Sequence, residues 1–532
     1  MPRVAWRRPR ERLRTLTGML NPDASDAADA FLQEAEHFRL GRLPTETPHP
    51  LTDDLADLAR GDVAGGVARL KQVDVDALQR LLDGAEGLED FRRAVFAALQ
   101  DGSRVFLCGC GATGRLSVSL EVLWREQMPA ARRPDVVSFM AGGDLALVRS
   151  IENFEDHPRY GARQLEELGF AETDLLIACT EGGETPWVIG ATEHAAELSR
   201  RAPWFLYCNP DHVLRETVER SRRVLDDERI RKASAFVGPM ALTGSTRMQA
   251  STVLMLTVGE ALFHTDRAIR AGLEEFLGVL ERADLSFLPA FVEAETAIYQ
   301  AGGTVLYETD RYGVTIVTDT TERSPTFSLR GFENYHDVNP SPSPCYVHLE
   351  ETMNAQEAWT KLLHRPPRAL DWQGIAAIAG HQRLLGFDFS TAGRAMRLHL
   401  VSGRPSARFG VHRQAAGMVL TLGELRAVVP TEGLSLLHEH LLLKVILNIH
   451  STLLMGRLGR YERNLMTWVR PSNKKLIDRS IRYVQHLLEA AGIHRYSYDD
   501  VARACFAEMA NLSEDEAIVL KVFHALKDRD DA

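Results

Sequence analysis

Apolar residues follow two rhythms along this chain. Over residues 53–100 they recur at helical spacing, as in Leu78, Leu81 and Leu82 and again in Phe91, Val95 and Leu99, which predicts helices. From residue 104 the rhythm changes to short apolar runs. Val105–Cys108, Val136–Met140, Leu175–Cys179, Phe205–Cys208 and the brief Ala235–Val237 are each a predicted strand, with helices between them such as 159–168 and 186–199. Apolar strands alternating with helices imply a parallel sheet covered on both faces, and ligands of such sheets collect beyond the carboxyl ends of the strands. A second, looser alternation begins near residue 290, with strands predicted at Thr304–Leu306, Val314–Asp319, Met396–Val401 and Gly417–Leu422. Past Leu434 helix is expected to the end, broken by a turn at Val469–Asn473. Residues 1–40 read as helical and irregular, and the proline-rich Leu43–Asp54 leads into a helix capped near Thr52.

Composition narrows the class. The 532 residues leave room for two or three domains, and 45% hydrophobic with 25% charged residues is ordinary for a globular protein. A net charge of −11 argues against a general nucleic-acid binder. The six cysteines (Cys108, Cys110, Cys179, Cys208, Cys345 and Cys505) are scattered, and Cys108-x-Cys110 has no second pair at metal spacing. Reduced, buried thiols in a cytoplasmic protein are therefore expected. No apolar run approaches the roughly 18 residues of a membrane span. Arg3, Arg7, Arg8, Arg10, Arg12 and Arg14 have no apolar segment behind them, so the start does not read as a secretory signal; a flexible basic arm and an over-extended start both remain open.

Candidate chemistry gathers in the turns after the strands. The first strand breaks into Gly109-x-Gly111-x-Thr113-Gly114-Arg115, and a helix with Leu116, Leu120, Leu123 and Trp124 follows. Glycines let backbone N–H groups crowd around an anion, the helix N-terminus adds partial positive charge, and Thr113 adds a hydroxyl. The third strand is followed by Thr180-Glu181-Gly182-Gly183-Glu184-Thr185-Pro186, the fourth by Asn209-Pro210, and the fifth by Gly238–Arg247 with Ser245 and Thr246. Any one of these is explained as a turn or an N-cap; together on one rim they make a cradle for a phosphate and a polyol. The glycines fit G-x-G-x-x-G, but a dinucleotide fold needs an acid about 20 residues on, ending the second strand. Asp144 lies beyond a glycine pair, about 30 residues past the loop, too far for that contact. In the second unit the corresponding turn, Glu308–Gly313, has no glycine cradle, and Glu308 and Asp310 would repel a phosphate. His438-Glu439-His440 puts its histidines two apart, on different helix faces, which argues against zinc.

These motifs, in this order, resemble the sugar isomerase (SIS) domain proteins. More closely they resemble the N-acetylmuramic acid 6-phosphate etherases and their double-length relative, the glucokinase regulatory protein. Gly109–Leu116 is similar to that group's phosphate loop, with Ala112-Thr113 where Thr-Ser is usual. Ala141–Asp144, Glu152-x-x-Glu155-Asp156, Thr185-Pro186-x-Val188-Ile189-Gly190, Cys208–Pro210 and Gly238–Met248 follow in order. Thr45-Glu46 with Pro50-x-Thr52 resembles the N-terminal signature, and Asn448-x-x-Ser451-Thr452, Asn464–Met466 and Asn473–Leu476 resemble the C-terminal ones.

The resemblance implies an α/β fold of two SIS domains, doubly wound parallel sheets flanked by helices, with a helical N-terminal segment and a helical C-terminal cap. The boundaries expected are an arm and helices at 1–50, a first SIS domain with the site at 51–285, a divergent second at 286–455, and the cap at 456–532. It implies a sugar phosphate ligand without cofactor or metal and, by analogy, a protein partner such as a sugar kinase; neither nucleic acid nor membrane is implied. In the etherases one carboxylate removes the C2 proton of the opened sugar, a second protonates the departing lactyl oxygen, and water then adds. The base matches Glu155, whereas the acid's position in the first helix matches Leu123, which cannot donate a proton. The second repeat carries Asp319-Thr320-Thr321-Glu322 followed by Pro325-Thr326-Phe327, so Glu322 is expected to reach into the first domain's cradle; the alternative is a local cap or pair. By the same carry-over Gly109, Gly111, Thr113, Gly114, Arg115, Thr180, Gly182, Ser245, Thr246 and Arg247 would surround the phosphate, with Lys475 closing over the ligand. Gly182 stands where the family's turn has serine, leaving Thr180 as the nearest hydroxyl. The reading favoured is a sugar-phosphate-responsive binding or regulatory protein; the alternative is a lyase or isomerase using Glu155 and Glu322.

Overall fold

Five short apolar strands, β1 (Val105–Gly109), β2 (Val136–Met140), β3 (Leu175–Cys179), β4 (Trp204–Tyr207) and β5 (Arg231–Ser234), pair in the order β2-β1-β3-β4-β5, all parallel. The computed structural model describes residues 24–35, 40–151, 154–513 and 516–530. The basic arm and Glu152 of the Glu152-x-x-Glu155 motif lie outside them. Every residue of β1, β2 and β3 is buried, as near-continuous apolar runs require in a sheet covered on both faces. The fifth strand lies just ahead of the run expected to form it: β5 is the polar Arg231–Ser234, an edge strand with one buried residue, and 235–237 follows it outside the strand.

A second sheet contains β6 (Thr304–Thr309), β7 (Cys345–Leu349), β8 (Ser406–Gln414), β9 (Gly417–Leu422) and β10 (Leu425–Val429), in the order β10-β9-β8-β6-β7. β6 pairs parallel with β7 and β8, repeating the first sheet's centre, while β9 and β10 add an antiparallel tail. Two expected strands are helices. Val314–Asp319 lies in a helix, Gly313–Phe327, buried along most of its length; a short apolar run without polar alternation is ambiguous between strand and buried helix. Met396–Val401 alternates like a strand, yet Ser390 accepts bonds from the amides of Ala392 and Gly393 and starts the helix Thr391–Leu400. That helix buries Arg397 against Glu333 and leaves Met396 and Leu398 exposed, the reverse of what hydropathy alone would choose.

The helices used below are α1 (Ala112–Gln127), α2 (Pro158–Glu167), α3 (Pro186–Leu198), α4 (Gln249–Phe263), α5 (Gly313–Phe327), α6 (Ala355–Leu363), α7 (Thr391–Leu400) and α8 (Leu436–Arg457). α8 is apolar around most of its circumference and is buried from Leu437 to Gly456. It packs against α4, α5 and the helices Leu55–Gly61, Val63–Asp83 and Leu288–Gln300, so both sheets' helices share one central post. Both sheets belong to one compact unit, Leu40–Arg470. A separate helical unit joins the chain's ends: Ala24–Glu34 packs with Tyr498–Met509, and Lys474–Ala490, Tyr498–Met509 and Ile518–Asp530 pack on one another.

Candidate functional site

The turn after β1 divides its glycines between two tasks. A Cβ on Gly109 would sit 2.4 Å from the Thr113 carbonyl carbon, and one on Gly114 would sit 2.6 Å from the Met140 Cβ, so these two let α1 close against the sheet. Gly111 has φ +55° with open space around it, which leaves its backbone approachable at the start of α1. The Thr113 hydroxyl accepts from Cys110 N at 3.0 Å and donates to Cys110 O at 2.9 Å, so it braces the loop itself.

The other turns are held by the segments that looked like distant signatures. Asn209 Nδ2 donates to Gly182 O (3.1 Å) and to Thr45 Oγ1 (3.0 Å), while Thr45 N donates to Asn209 Oδ1 (3.2 Å). Thr52 Oγ1 donates to Ala241 O (2.7 Å), Asn464 Nδ2 donates to His49 O (2.9 Å), and Thr243 N donates to Asn464 O (2.8 Å). The loop bearing Ser245 is thus stitched to residues near both 50 and 464. The hydroxyls of Thr180 and Thr185 pair at 3.1 Å. Glu184 is turned to Arg220 and Glu181 receives Ser251 Oγ at 3.4 Å, which orients the two acids flanking Gly182. Ser245 Oγ is buried and has no hydrogen-bond partner among the described residues, and Thr246 is half-buried beside it.

Arg115 and Arg247, expected at a phosphate, are both engaged inside the protein by the second repeat. Arg115 Nη1 lies 2.7 Å from Glu322 Oε1, and Arg115 Nε donates to Thr321 Oγ1 at 3.4 Å. The Arg115–Glu322 approach is a charge contact without hydrogen-bond alignment, so Glu322 Oε1 and Arg115 Nη2 remain buried and unsatisfied. Arg247 Nη1 donates to Asp319 Oδ1 (3.1 Å) and Ser451 Oγ (3.1 Å), and Nη2 to Thr452 Oγ1 (2.7 Å). Burial pushes the Asp319 carboxyl up, but Arg323, Arg247, Ser451 and Asn448 outweigh it and hold the group below its ordinary value. Lys444 Nζ donates to the carbonyls of Arg247 (2.9 Å) and Met248 (3.3 Å), fixing the loop from α8; burial holds this ammonium below its ordinary value. A cleft of about 450 Å³, counting the part open to solvent, lies here, bordered by Ala112, Ser119, Arg247, Ser251, Glu322 and Lys444.

Glu155 sits in a half-buried turn, Phe154–Asp156, where Cys110 Sγ donates to its Oε2 at 3.6 Å. Phe154 anchors the turn against Tyr160 and Trp372, with ring centroids 4.8 and 5.9 Å away. α2 and α3 touch at backbone distance below it, since Cβ atoms on Gly161 and Gly190 would each meet a carbonyl oxygen at 2.1 Å. One carboxylate therefore borders the cradle loop, and the other, Glu322, borders the helix that opens from it. Leu123 is fully buried on α1. Lys475 lies in the first turn of Lys474–Ala490, which Asn473 caps, within the separate helical unit.

The motif Ala141–Asp144 serves a clasp that the sequence did not announce. Arg365, from the second half, donates to Asp144 (2.6 and 3.0 Å) and to Glu121 (3.1 Å), and Arg368 adds bonds to Glu121 (3.0 and 3.1 Å). Glu121, facing Ser138 as well, is thereby committed to structure. Burial raises its pKa, but Arg365, Arg368, Arg125 and Ser138 together drive it well below the usual carboxylate range.

Residues 89–196 match the family described as the glucokinase regulatory protein N-terminal SIS domain. N-acetylmuramic acid 6-phosphate etherase from Aliivibrio salmonicida (strain LFI1238) is 32% identical over 236 residues, which is 44% of this chain and 72% of that protein. N-acetylmuramic acid 6-phosphate etherase 2 from Vibrio cholerae is 32% identical over 238 residues, covering 44% and 70%. The enzyme of that name from Pectobacterium atrosepticum is 31% identical over 225 residues, covering 42% and 68%. Among solved structures, the C-terminal domain of glucosamine-fructose-6-phosphate aminotransferase from Francisella tularensis is similar with a TM-score of 0.37 at 10% identity, over 74% of this chain and 96% of that one.

Proposed function

Because the chain belongs to the N-acetylmuramic acid 6-phosphate etherase family, we propose that it binds a sugar phosphate at the rim of its first sheet and uses that ligand to change its contact with a partner protein. The phosphate is received by the backbone at Gly111 and the N-terminus of α1, helped by Ser245 and Thr246. Glu155 and Glu322 accept hydrogen bonds from sugar hydroxyls. The observation that carries this reading is the reach of α5 across the molecule, which puts Glu322 2.7 Å from Arg115 in the first turn of α1. A regulatory role is supported by Leu123, which leaves α1 without a carboxylate at the acid's position. The division into SIS domains at 51–285 and 286–455 with a cap at 456–532 belongs to the same proposal. Six free cysteines fit a cytoplasmic setting, and no helix among the described residues is long and apolar enough to cross a membrane.

The second reading is a lyase, favoured by the presence of both carboxylates at the cradle's edges. Glu155 would take the C2 proton and Glu322 would protonate the departing ether oxygen. The test is thermal unfolding of the full chain with hexose 6-phosphates, fructose 1-phosphate and N-acetylmuramic acid 6-phosphate, assaying lactate with the last. A ligand at 100 times its Kd adds about 2.7 kcal/mol of apparent stability. A shift without lactate supports the binding protein. A shift with lactate, lost in Glu155→Gln and Glu322→Gln, replaces it with the lyase. No shift with any sugar phosphate overturns both.

A further inference from the structure

The strand–turn–helix unit occurs twice, and the second copy has a cavity of its own. β6 runs into α5 as β1 runs into α1, and the strand orders β7-β6-β8 and β2-β1-β3 correspond. Each helix closes on the neighbouring strand through a glycine. A Cβ on Gly114 would meet Met140 at 2.6 Å, and one on Gly313 would meet Leu349 at 2.7 Å. Counted from these glycines, Glu322 and Leu123 are counterparts (322 − 313 = 123 − 114). Beyond the carboxyl ends of β6 and β7 lies a cavity of about 410 Å³, counting the part open to solvent, lined by Asp310, Arg311, Lys361, His364 and, from the first half, Glu126. The exchange is reciprocal. α5 sends Glu322 to the first turn of α1, and α1 sends Glu126 to the start of α5, where it pairs with Arg311.

The chemistry of this second cavity differs from that of the first. Where the first turn offers the open backbone of Gly111, this one has Asp310 and Arg311, and two carboxylates face the space. Asp310 Oδ1 is buried with no hydrogen-bond partner among the described residues, so it calls for a donor from outside. Lys361 Nζ donates to Glu350 O at 2.7 Å, and an ammonium carries three donors. His364, the left-handed C-cap of α6, lines the cavity beside Lys361. Val122, Leu349 and Leu362 supply an apolar wall. Donors and acceptors of balanced charge around an apolar wall suit a ring or chain of hydroxyls, and the carboxylates disfavour a phosphate. We infer that this second cavity binds an uncharged polyhydroxylated molecule, a free sugar or polyol, through Asp310, Lys361 and Glu126.

The test is titration calorimetry of the full chain with D-glucose, D-mannose and D-mannitol. Repeats use Asp310→Asn, Lys361→Met and Glu126→Gln, so that a variant that does not fold leaves two others. Saturable binding of one probe, weakened about tenfold or more in each folded variant and unchanged in Glu155→Gln, is the result expected. No saturable binding by about 20 mM probe overturns the inference, as does binding that the variants leave untouched. Tighter binding of D-glucose 6-phosphate than of D-glucose that survives in Glu155→Gln but fails in Lys361→Met overturns the ligand class. D-glucose, D-mannose and D-mannitol carry no phosphate, and Asp310, Lys361 and Glu126 lie outside the first cradle, so failure with these probes is distinct from failure of the sugar-phosphate reading.

Discussion

Replacing Arg365 by methionine removes the one side chain that bonds both buried acids of the clasp. Asp144 and Glu121 are 2% and 1% exposed, and Arg365 is 6% exposed. In Arg365→Met, Asp144 loses both guanidinium bonds and keeps the Arg368 amide, while Glu121 keeps Arg368, Arg125 and Ser138. Breaking a buried ion pair by removing one partner costs about 3–5 kcal/mol, because the remaining charge stays desolvated. Glu121's remaining cations put the expected loss near the lower end, about 3 kcal/mol at pH 7. The pH dependence follows from Glu121's depressed pKa. A carboxyl held below its unfolded value of about 4.3 contributes stability above that pH and loses it as the pH falls toward the folded value. In the variant Glu121 is held down less firmly, so it has less to lose. The unfolded-state titration is common to both proteins, so the gap between them is widest at neutral pH, holds through pH 5, and narrows only as the pH falls toward Glu121's folded pKa in the variant. Urea unfolding at pH 7, 5 and 3.5 measures it. A gap below about 1 kcal/mol at pH 7, or one that widens as the pH falls to 3.5, would refute the claim that these charges hold the halves together.

Gly109→Ala is expected to destabilise more than Gly111→Ala. The first drives a Cβ to 2.4 Å from backbone, whereas the second meets open space and pays only for its φ of +55°, about 1 kcal/mol; thermal unfolding of both compares them. Asn464→Ala removes bonds to His49 O and Thr52 Oγ1, and a loss of about 1–3 kcal/mol is expected, read by urea unfolding, with faster hydrogen exchange over 238–247. Burial pushes buried His440 down to about 3. Its unfolded form takes a proton near pH 6.5, so this site's stability is full above that pH and is lost as the pH falls toward 3. His440→Gln should flatten the acid limb of the stability curve over that range, and an unchanged limb would count against the assignment.

The four apolar strands of the first sheet, β1 to β4, were legible because each is a short apolar run bounded by turn residues, a pattern that burial on both faces imposes. The same rule failed where its premise failed. Val314–Asp319 is an apolar run buried in a helix, and Met396–Val401 alternates in a helix whose interior contact is Arg397. Period and hydropathy describe one element's own faces, and neither records which neighbour covers them. At the rim the turns after β1, β3 and β5 were readable as local chemistry. That Arg115 and Arg247 face the second repeat was not, since a loop arginine reads the same whether its partner is a ligand or Glu322 and Asp319. Lys444, a cation in the middle of an apolar helix, gave no signal beyond the Asn448-x-x-Ser451-Thr452 motif one turn on.

By itself the sequence determined the alternation that builds a parallel sheet, the glycine turn that opens α1, and a second repeat whose turn had lost that cradle. These are local facts, set by backbone freedom at Gly109 and Gly111 and by where apolar side chains recur. Only the tertiary structure decided which charges meet. Glu322 came to Arg115, Glu126 to Arg311, and Arg365 to Asp144 and Glu121, over separations of 185 residues or more. Pairing at such range depends on how two sheets share one buried post, α8, and on the cost of leaving any of these charges buried alone.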